Sequence, residues 1–353
     1  MNALTSAVNN MPNSQKELTL TLPHQLKAQF PLSHKLAQQI AEQRQTIEDI
    51  LDGTDPRLMV IVGPCSIHDP IAVLEYAQKL QQLQNQVADQ IFLVMRAYIE
   101  KPRTTIGWKG FLYDPDLDGS AHIQLGLEKS RDLYLKLIAL GLPIASEILN
   151  PMVTAYFDDL LAWGAIGART SESQIHREIS SYMPYSLGFK NGTDGSIQIA
   201  LDAIKSATHA HQFIGMGQSG LPCILESTGN RKAHLILRGA NEGSNYQAAE
   251  IEKIKAKNPA ELPALVIDCS HGNSDKKPLL QIDVLRTIVA ERTQTQVRGV
   301  MLESHLVDGQ QKISTNMHYG QSVTDGCLGW SKTAQLLLET ADTLRLGTVK
   351  RRA

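Results

Sequence analysis

The segment LMVIVGPCSIHDPIAVLEYAQKLQQLQ, residues 58–84, runs from an apolar stretch through a polar turn into an amphipathic stretch. The first part is typical of a buried strand, and the apolar spacing after Pro70 predicts a helix. The same alternation recurs, with apolar runs at 58–66, 91–98, 143–149, 165–170, 186–192, 234–239, 264–271 and 299–304. Strands that alternate with helices indicate a parallel sheet, and eight such units predict an α/β fold, the (β/α)8 TIM barrel. The alternative, a doubly wound open sheet, lacks a glycine-rich dinucleotide turn after its first strand.

Two segments lie outside this repeat. Residues 1 to about 30 are polar and predict a partly ordered arm, and the serine start, apolar spacing and glycine stop of residues 33–53 predict a helix. The runs at 211–217 and 222–229 lie between the fifth and sixth units and predict an inserted β-hairpin. We therefore expect an N-terminal arm and helix at 1–54, and a barrel at 55–353 with the hairpin at about 211–229. Within the barrel, TAYFDDLLAWG at 154–164 predicts one of the helices.

The composition excludes several classes of protein. The chain has 353 residues, 42% hydrophobic and 20% charged, with a formal net charge of -2, which argues against binding to nucleic acid or to a membrane surface. Its four cysteines are far apart in the sequence, as is usual in a reducing compartment. We find neither a signal-peptide pattern at the amino terminus nor an apolar run of membrane-spanning length. We expect a cytoplasmic protein.

Residues that can carry chemistry stand at the end of each apolar run. In a (β/α)8 barrel the catalytic residues come from the carboxyl ends of the strands, which all meet at one face. In chain order these ends carry Cys65, Arg96, Glu147, Arg169, Lys190, Arg238, His271 and Glu303. Any one of them could simply reach solvent, but eight in succession indicate a functional site.

One group within this set is cationic. Arg96, Arg169, Lys190 and Arg238 are joined by Lys101 and Arg103 of RAYIEKPRTT, just past the second strand. Converging buried cations need anions, and the arginine fork suits carboxylate and phosphate. We expect two phosphorylated ligands, one of which also carries a carboxylate; the alternative is a set of ordinary surface cations.

The other group can bind a metal. It offers a thiolate, an imidazole and two carboxylates, from Cys65, His271, Glu303 and Asp325, the last in YGQSVTDGCLGW. Such a set is suited to a divalent transition metal. Cys269 and Cys327 lie close in sequence and either could compete as a ligand, although Cys269 fits wall packing better. His68 follows Cys65 by three residues, so it could orient groups near the metal or could equally serve packing.

Seven motifs of the chain closely resemble those of the type I 3-deoxy-D-arabino-heptulosonate-7-phosphate (DAHP) synthases. They are GPCSIHDP, MRAYIEKPRTTIGWKG, GARTSESQIHRE, GFKNGTDG, ILRGANEGSNY, DCSHGNS and ESHLVDGQQ. The likeness extends from about residue 15 to about residue 345. It implies a barrel with an amino-terminal extension and an inserted hairpin. It also implies a transferase that condenses phosphoenolpyruvate with erythrose 4-phosphate and water to give DAHP and phosphate, the first step of the shikimate pathway.

The resemblance also implies roles for single residues. One divalent ion (Mn, Fe, Co or Zn) would be held by Cys65, His271, Glu303 and Asp325. Phosphoenolpyruvate would be bound by Arg96, Lys101, Arg169, Lys190 and Arg238, and erythrose 4-phosphate by Arg103 and Thr104. Lys101 could protonate the aldehyde oxygen, whereas Glu147 and His176 remain alternatives for the proton of the attacking water.

The same resemblance predicts feedback inhibition by an aromatic amino acid and assembly into a homodimer or homotetramer through the arm and barrel faces. The implied effector site is lined by Asn150, Pro151, Thr154, Ala155, Ile179, Met183, Pro184, Phe213 and Gly215. Gly215 stands where phenylalanine- and tryptophan-sensitive relatives tend to carry serine, and the missing side chain would leave room for a phenol hydroxyl. Tyrosine is therefore the favoured effector; the alternative is that the hairpin geometry requires a glycine here.

Two other functions are alternatives to this one. The related 3-deoxy-D-manno-octulosonate-8-phosphate synthases use arabinose 5-phosphate, but are typically shorter and lack the extension and the hairpin. A catalytically inactive barrel that senses a small molecule would have no need of an intact set of metal ligands. The KPRTT motif at 101–105 favours the four-carbon sugar.

Overall fold

The computed structural model describes residues 17–258 and 262–352, with side chains as far as residue 347. These residues form eleven strands: β1 Leu58–Gly63, β2 Ile91–Arg96, β3 Ile144–Glu147, β4 Trp163–Ile166, β5 Ser186–Lys190, β6 Gln212–Met216, β7 Pro222–Glu226, β8 His234–Leu237, β9 Leu265–Asp268, β10 Gly299–His305 and β11 Leu328–Gly329. Eight of them form a parallel sheet in the order β1-β2-β3-β4-β5-β8-β9-β10, and β1 pairs with β10 to close it. The fold is therefore the expected (β/α)8 barrel.

The helices are α1 Pro23–Gln29, α2 His34–Asp52, α3 Pro70–Val87, α4 Ile123–Ala139, α5 Thr154–Phe157, α6 Gln174–Tyr182, α7 Gln198–Ala207, α8 Ala248–Lys257, α9 Leu280–Thr295 and α10 Trp330–Arg352. Those from α3 onward follow barrel strands and cover them, since each turns an apolar face to the sheet. Asp69 caps α3 through hydrogen bonds from the amides of Ile71 and Ala72. No helix in the described part of the chain is long and apolar enough to cross a membrane.

The helix that the sequence predicts at 33–53 closes the amino-terminal end of the barrel. Ser33 Oγ accepts a hydrogen bond from Leu36, and Gly53 ends the helix in the left-handed conformation. Ile47 and Ile50 of α2 belong to one buried cluster with Met59 and Ile61, which shows that α2 packs on the interior of the barrel. The polar arm holds a further helix, α1, which the sequence did not indicate, whereas residues 1–16 lie outside the described residues.

Two local predictions need correction around β4. The predicted strand 165–170 lies at Trp163–Ile166, because Gly167 and the residues after it leave the sheet to form the site loop. The helix predicted at 154–164 is restricted to Thr154–Phe157, since Trp163 and Gly164 pair with β3 and β5. The inserted hairpin lies close to its predicted place: β6 and β7 pair in antiparallel fashion, with Gly215 opposite Cys223.

Candidate active site

The carboxyl ends of the barrel strands surround a cavity of about 390 Å³. Ten residues singled out from the sequence line it: Arg96, Lys101, Arg103, Thr104, Glu147, Arg169, Lys190, Arg238, His271 and Asp325. Two more, Cys65 and Glu303, are buried against these lining residues. Groups more than 200 positions apart in sequence meet here because parallel strands bring all their carboxyl ends to one face.

Three of the four predicted metal ligands form one cluster. Ligand atoms of Cys65, Glu303 and Asp325 all lie within 4.8 Å of one another. The ammonium of Lys101 lies among them, 2.9 Å from Cys65 Sγ and 2.7 Å from Asp325 Oδ2. His271 lines the same cavity, but its Nδ1 faces Asp268 Oδ2 at 2.9 Å and the ring is outside the cluster.

The electrostatics of this cluster fit a divalent cation. Burial raises the pKa of the Cys65 thiol to about 11, an effect that Glu303 and Asp325 increase and Lys101 opposes. Burial also opposes ionisation of Asp325, but the Lys101 ammonium outweighs it and holds that pKa well below the ordinary value. At Glu303 the charges of His271 and Arg96 likewise overcome burial and lower the pKa. Two ligands are therefore already ionised, and a bound cation would favour the thiolate.

The cations of the site fall into two kinds, and the first kind is paired. Arg96 donates to Glu303 Oε1 at 3.0 Å and to the carbonyls of Pro64 and Cys65, which fixes the guanidinium at the end of β2. Lys190 Nζ lies 2.7 Å from Asp268 Oδ2. These pairs hold their cations in defined positions without an added ligand.

The second kind lacks a carboxylate. In the described part of the chain, neither Arg169 nor Arg238 forms an ion pair with an acidic side chain. Arg238 is 7% exposed, and its Nη1 has no hydrogen-bond partner among residues 17–258 and 262–347. Burial lowers the pKa of Arg238 by more than the charge of Asp268 raises it, so the guanidinium carries a desolvation cost that the nearby carboxylates only partly offset. Such a group at a cavity wall indicates a bound anion.

The candidates for handling water protons differ in position. Glu147 lines the cavity at the end of β3. His176 is buried in α6, where its Nδ1 lies 2.9 Å from Ser173 Oγ and its Nε2 lies 2.8 Å from the carbonyl of Leu149. Because a carbonyl can only accept, Nε2 carries the proton and Nδ1 is engaged by the serine.

His68 is also buried, away from the described cavity lining, and its ring packs edge-on against His305 at 5.7 Å. Burial lowers the pKa of His68. Its position next to the Cys65 turn is compatible with either of the roles considered for it from the sequence.

The predicted effector residues come from three segments that meet outside the barrel. The turn and short helices after β3 contain Asn150, Pro151, Thr154 and Ala155. The second segment, in and after α6, contains Ile179, Met183 and Pro184, and the third, β6, contains Phe213 and Gly215. Both β6 and α6 pack against the 3-10 helix Pro151–Val153. The Tyr182 and Phe213 rings also meet edge-on at 6.3 Å. The structure thus brings the three segments together.

Several residues of the cavity were missed by the sequence analysis. Five of them belong to loops whose sequence carries no local pattern that marks a site: Thr193, Asn241, Ser270, Lys276 and Gln310. Asp268 is different, because a carboxylate inside the apolar run 264–271 was visible in the sequence. It holds both Lys190 and His271, and these two neighbours keep its pKa well below the ordinary value despite burial.

A closed parallel barrel whose strand ends bring arginines together with a thiol–carboxylate cluster defines a class: (β/α)8 enzymes, whose active sites lie at this face of the barrel. The chain belongs to the DAHP synthetase I family, whose model matches residues 30–338. The fold and the family expected from the sequence are thereby confirmed.

Known proteins agree with this assignment. The chain is 46% identical over 340 residues to the Tyr-sensitive phospho-2-dehydro-3-deoxyheptonate aldolase of Escherichia coli K12, covering 94% of this chain and 95% of that protein. It is 44% identical over 337 residues to the Phe-sensitive aldolase of the same organism, covering 94% and 96%. A solved structure of the aldolase from Francisella tularensis SCHU S4 superposes with a TM-score of 0.91 at 43% identity, covering 94% of this chain and 99% of that one.

Proposed function

We propose that this enzyme condenses phosphoenolpyruvate with erythrose 4-phosphate and water to give DAHP and inorganic phosphate, the first step of the shikimate pathway. The observation that carries the proposal is the unpaired, buried Arg238 at the wall of a cavity that also holds Arg169, Lys190 and Arg96. A small ligand with both a phosphate and a carboxylate matches this excess of fixed positive charge. Membership of the family supports the same reaction.

Within this proposal the cations bind and orient phosphoenolpyruvate. Arg169 and Arg238 are free to receive its oxygens, while Arg96 and Lys190 are already positioned by Glu303 and Asp268. Arg103 and Thr104 lie exposed at the mouth of the cavity, where they would meet the phosphate of the aldose. The two substrates would then face each other across the floor formed by Cys65 and its neighbours.

One divalent metal ion completes the proposed site, held by Cys65, Glu303 and Asp325 with His271 beside them. When bound, such an ion supplies Lewis-acid polarisation of an aldehyde oxygen. The mixed sulfur and oxygen ligands suit Mn²⁺, Fe²⁺, Co²⁺ or Zn²⁺ and do not select one of them.

The protein groups then move the protons of the reaction. A carbon–carbon bond forms between the methylene of phosphoenolpyruvate and the aldehyde carbon, and Lys101 donates the proton that the aldehyde oxygen takes up. A water adds at C2 of phosphoenolpyruvate, and the bond from C2 to the phosphate oxygen breaks. We assign the removal of a proton from that water to Glu147, because Glu147 lines the cavity whereas both ring nitrogens of His176 are hydrogen-bonded to other groups.

We further propose that the enzyme is a homodimer or homotetramer that an aromatic amino acid inhibits, with residues 1–54 serving assembly or regulation. Gly215 supports tyrosine as the effector, since a Cβ there would lie 2.5 Å from Leu225 Cδ1 and so reduce the space beside Phe213. The likeness to a Tyr-sensitive relative points the same way, but a Phe-sensitive relative is almost as similar.

The test is release of phosphate from phosphoenolpyruvate by the metal-loaded enzyme, with erythrose 4-phosphate, with arabinose 5-phosphate and with no aldose. Fast release with the four-carbon sugar alone, together with DAHP identified by mass spectrometry, is the expected result. Preference for arabinose 5-phosphate would assign the enzyme to the octulosonate reaction. No release with either sugar would overturn the proposal.

A further inference from the structure

The carboxyl group of Glu100 is buried next to the cavity but takes no part in the chemistry described so far. Glu100 is 4% exposed and directly precedes Lys101 in the loop after β2. Tyr113 Oη donates to its Oε1 at 3.1 Å, and the backbone amide of Asn150 donates to its Oε2 at 3.4 Å. Asn150 Nδ2 in turn donates to Tyr113 Oη at 3.0 Å, which closes a three-membered network.

This network, Glu100–Tyr113–Asn150, joins two separate segments. Glu100 and Tyr113 stand on either side of the loop 101–110, whose base is held by hydrogen bonds from the Lys101 amide to Lys109 and from the Leu112 amide to Ile99. Gly110 allows this close approach: at a φ of 112°, any Cβ would lie 2.4 Å from the Ile99 carbonyl. Asn150 belongs to the turn after β3, where its side chain caps the 3-10 helix.

The loop so held carries the residues proposed to meet the second substrate. Lys101 points from its base to Cys65 and Asp325, and Arg103 and Thr104 extend to the mouth of the cavity. Within the loop, Arg103 Nε donates to the carbonyl of Trp108 at 2.7 Å. A shift at the base of the loop therefore moves all three side chains.

We propose that Glu100 is a positioning residue, which acts through Tyr113 and Asn150 to hold the loop 101–110 against the turn after β3. It thereby places Lys101 for the aldehyde oxygen and Arg103 for the phosphate of the aldose. The inference rests on the proposed function for the identity of that substrate. The network itself is independent of it.

The hydrogen-bond pattern is satisfied by an ionised Glu100. As a carboxylate it accepts from Tyr113 and from the Asn150 amide, whereas a proton on either oxygen would occupy one of these two positions. Burial raises the pKa of Glu100 to about 7, and the donors Asn150 and Tyr113 oppose that rise. The network is therefore complete above about pH 7 and weakened below it.

Other titratable groups face Glu100 from each element packed around it. Glu147 at the end of β3 adds negative charge and raises the pKa of Glu100 further. Glu100 also lines a small pocket together with the phenols of Tyr134 from α4 and Tyr185 before β5, and burial raises the pKa of both phenols. These phenols stay neutral over the range in which Glu100 titrates.

Because the folded-state pKa of Glu100 is raised, its contribution to stability is greatest below its unfolded pKa and is lost as the pH rises through about 7. The positioning effect has the opposite pH dependence: it needs the ionised form of Glu100 and therefore strengthens as the pH rises. A purely structural carboxyl group would show the first dependence without the second.

The experiment compares the parent enzyme with Glu100→Gln, Tyr113→Phe and the matched control Tyr134→Phe from pH 5.5 to 9. Tyr134→Phe removes a buried hydroxyl from the same small pocket, but one that hydrogen-bonds to the Ala97 carbonyl and Ser146 Oγ and not to Glu100. The readouts are KM for erythrose 4-phosphate and, without substrate, the fluorescence of Trp108, isolated by subtracting the spectrum of Trp108→Phe.

In the parent we expect both readouts to change with a midpoint near pH 7, and KM for the aldose to rise on the acid side. Glu100→Gln should abolish this transition. Tyr113→Phe should move it to higher pH, because a donor to the carboxylate is lost, and should raise KM about fivefold to tenfold. Tyr134→Phe should leave the midpoint in place.

A midpoint that persists in Glu100→Gln, that does not rise in Tyr113→Phe, or that moves equally in Tyr134→Phe would overturn the inference. If the parent makes no product from either aldose, the proposed function fails. The Trp108 titration then still decides whether the network controls the loop.

Discussion

Replacing Arg238 by methionine tests the observation on which the function rests. This guanidinium is 7% exposed, its Nη1 has no hydrogen-bond partner among the described residues, and burial lowers its pKa. Removing an uncompensated buried charge relieves a cost, so the thermal midpoint of Arg238→Met should equal or exceed that of the parent. A residue retained for stability would show the reverse.

The same change should weaken binding of phosphoenolpyruvate. A charge-assisted hydrogen bond contributes about 1.5–3 kcal/mol, which corresponds to about a 10- to 150-fold higher Kd for each bond lost. Isothermal titration calorimetry with phosphoenolpyruvate measures this directly, without the second substrate and without turnover.

Arg96→Met is the matched comparison, because Arg96 is buried at the same face but is paired with Glu303. Its loss should also weaken binding, but it removes the ion-pair partner of the buried Glu303 carboxylate, and breaking a buried ion pair costs about 3–5 kcal/mol of stability. The thermal midpoint should therefore fall in Arg96→Met and not in Arg238→Met. A fall in Arg238→Met with unchanged phosphoenolpyruvate affinity would refute the assignment of Arg238 to an anion site.

Three further outcomes are expected. Chelation should abolish turnover and Mn²⁺ should restore it, while Cys65→Ala should fold normally yet retain no metal by elemental analysis; full activity in that variant would contradict the ligand set. L-tyrosine should inhibit at lower concentration than L-phenylalanine, and Gly215→Ser should shift the preference toward phenylalanine in inhibition titrations. Gly126→Ala should lower the thermal midpoint and cost about 1–3 kcal/mol of folding stability, because its Cβ would lie 1.9 Å from the Leu112 carbonyl oxygen. The control Gly347→Ala is also in a helix but has open space around it, so this change should leave stability unchanged or raise it.

The strands could be predicted because a barrel strand is buried on both faces and is therefore a short apolar run. The run at 186–192 corresponds to β5 at Ser186–Lys190, and the helix at 33–53 to α2 at His34–Asp52, whose serine and glycine ends are local signals. The local pattern gave a wrong prediction where a helix is followed closely by a strand. Residues 154–164 have helical spacing throughout, but Trp163 and Gly164 pair with the neighbouring strands and belong to the sheet.

The sequence by itself determined which residues stand at the carboxyl ends of the strands, because that depends only on where each apolar run stops. It therefore indicated the cations and metal ligands of one face, and the family to which the chain belongs. Only the tertiary structure decided how these groups pair. Among the residues that the structure describes, Arg96 and Lys190 have carboxylate partners while Arg238 has none, and Glu100 is tied to Asn150, 50 positions away. The reason is physical: pairing, burial and the pKa of each group depend on distances between strands and loops remote in sequence, and no local pattern encodes those distances.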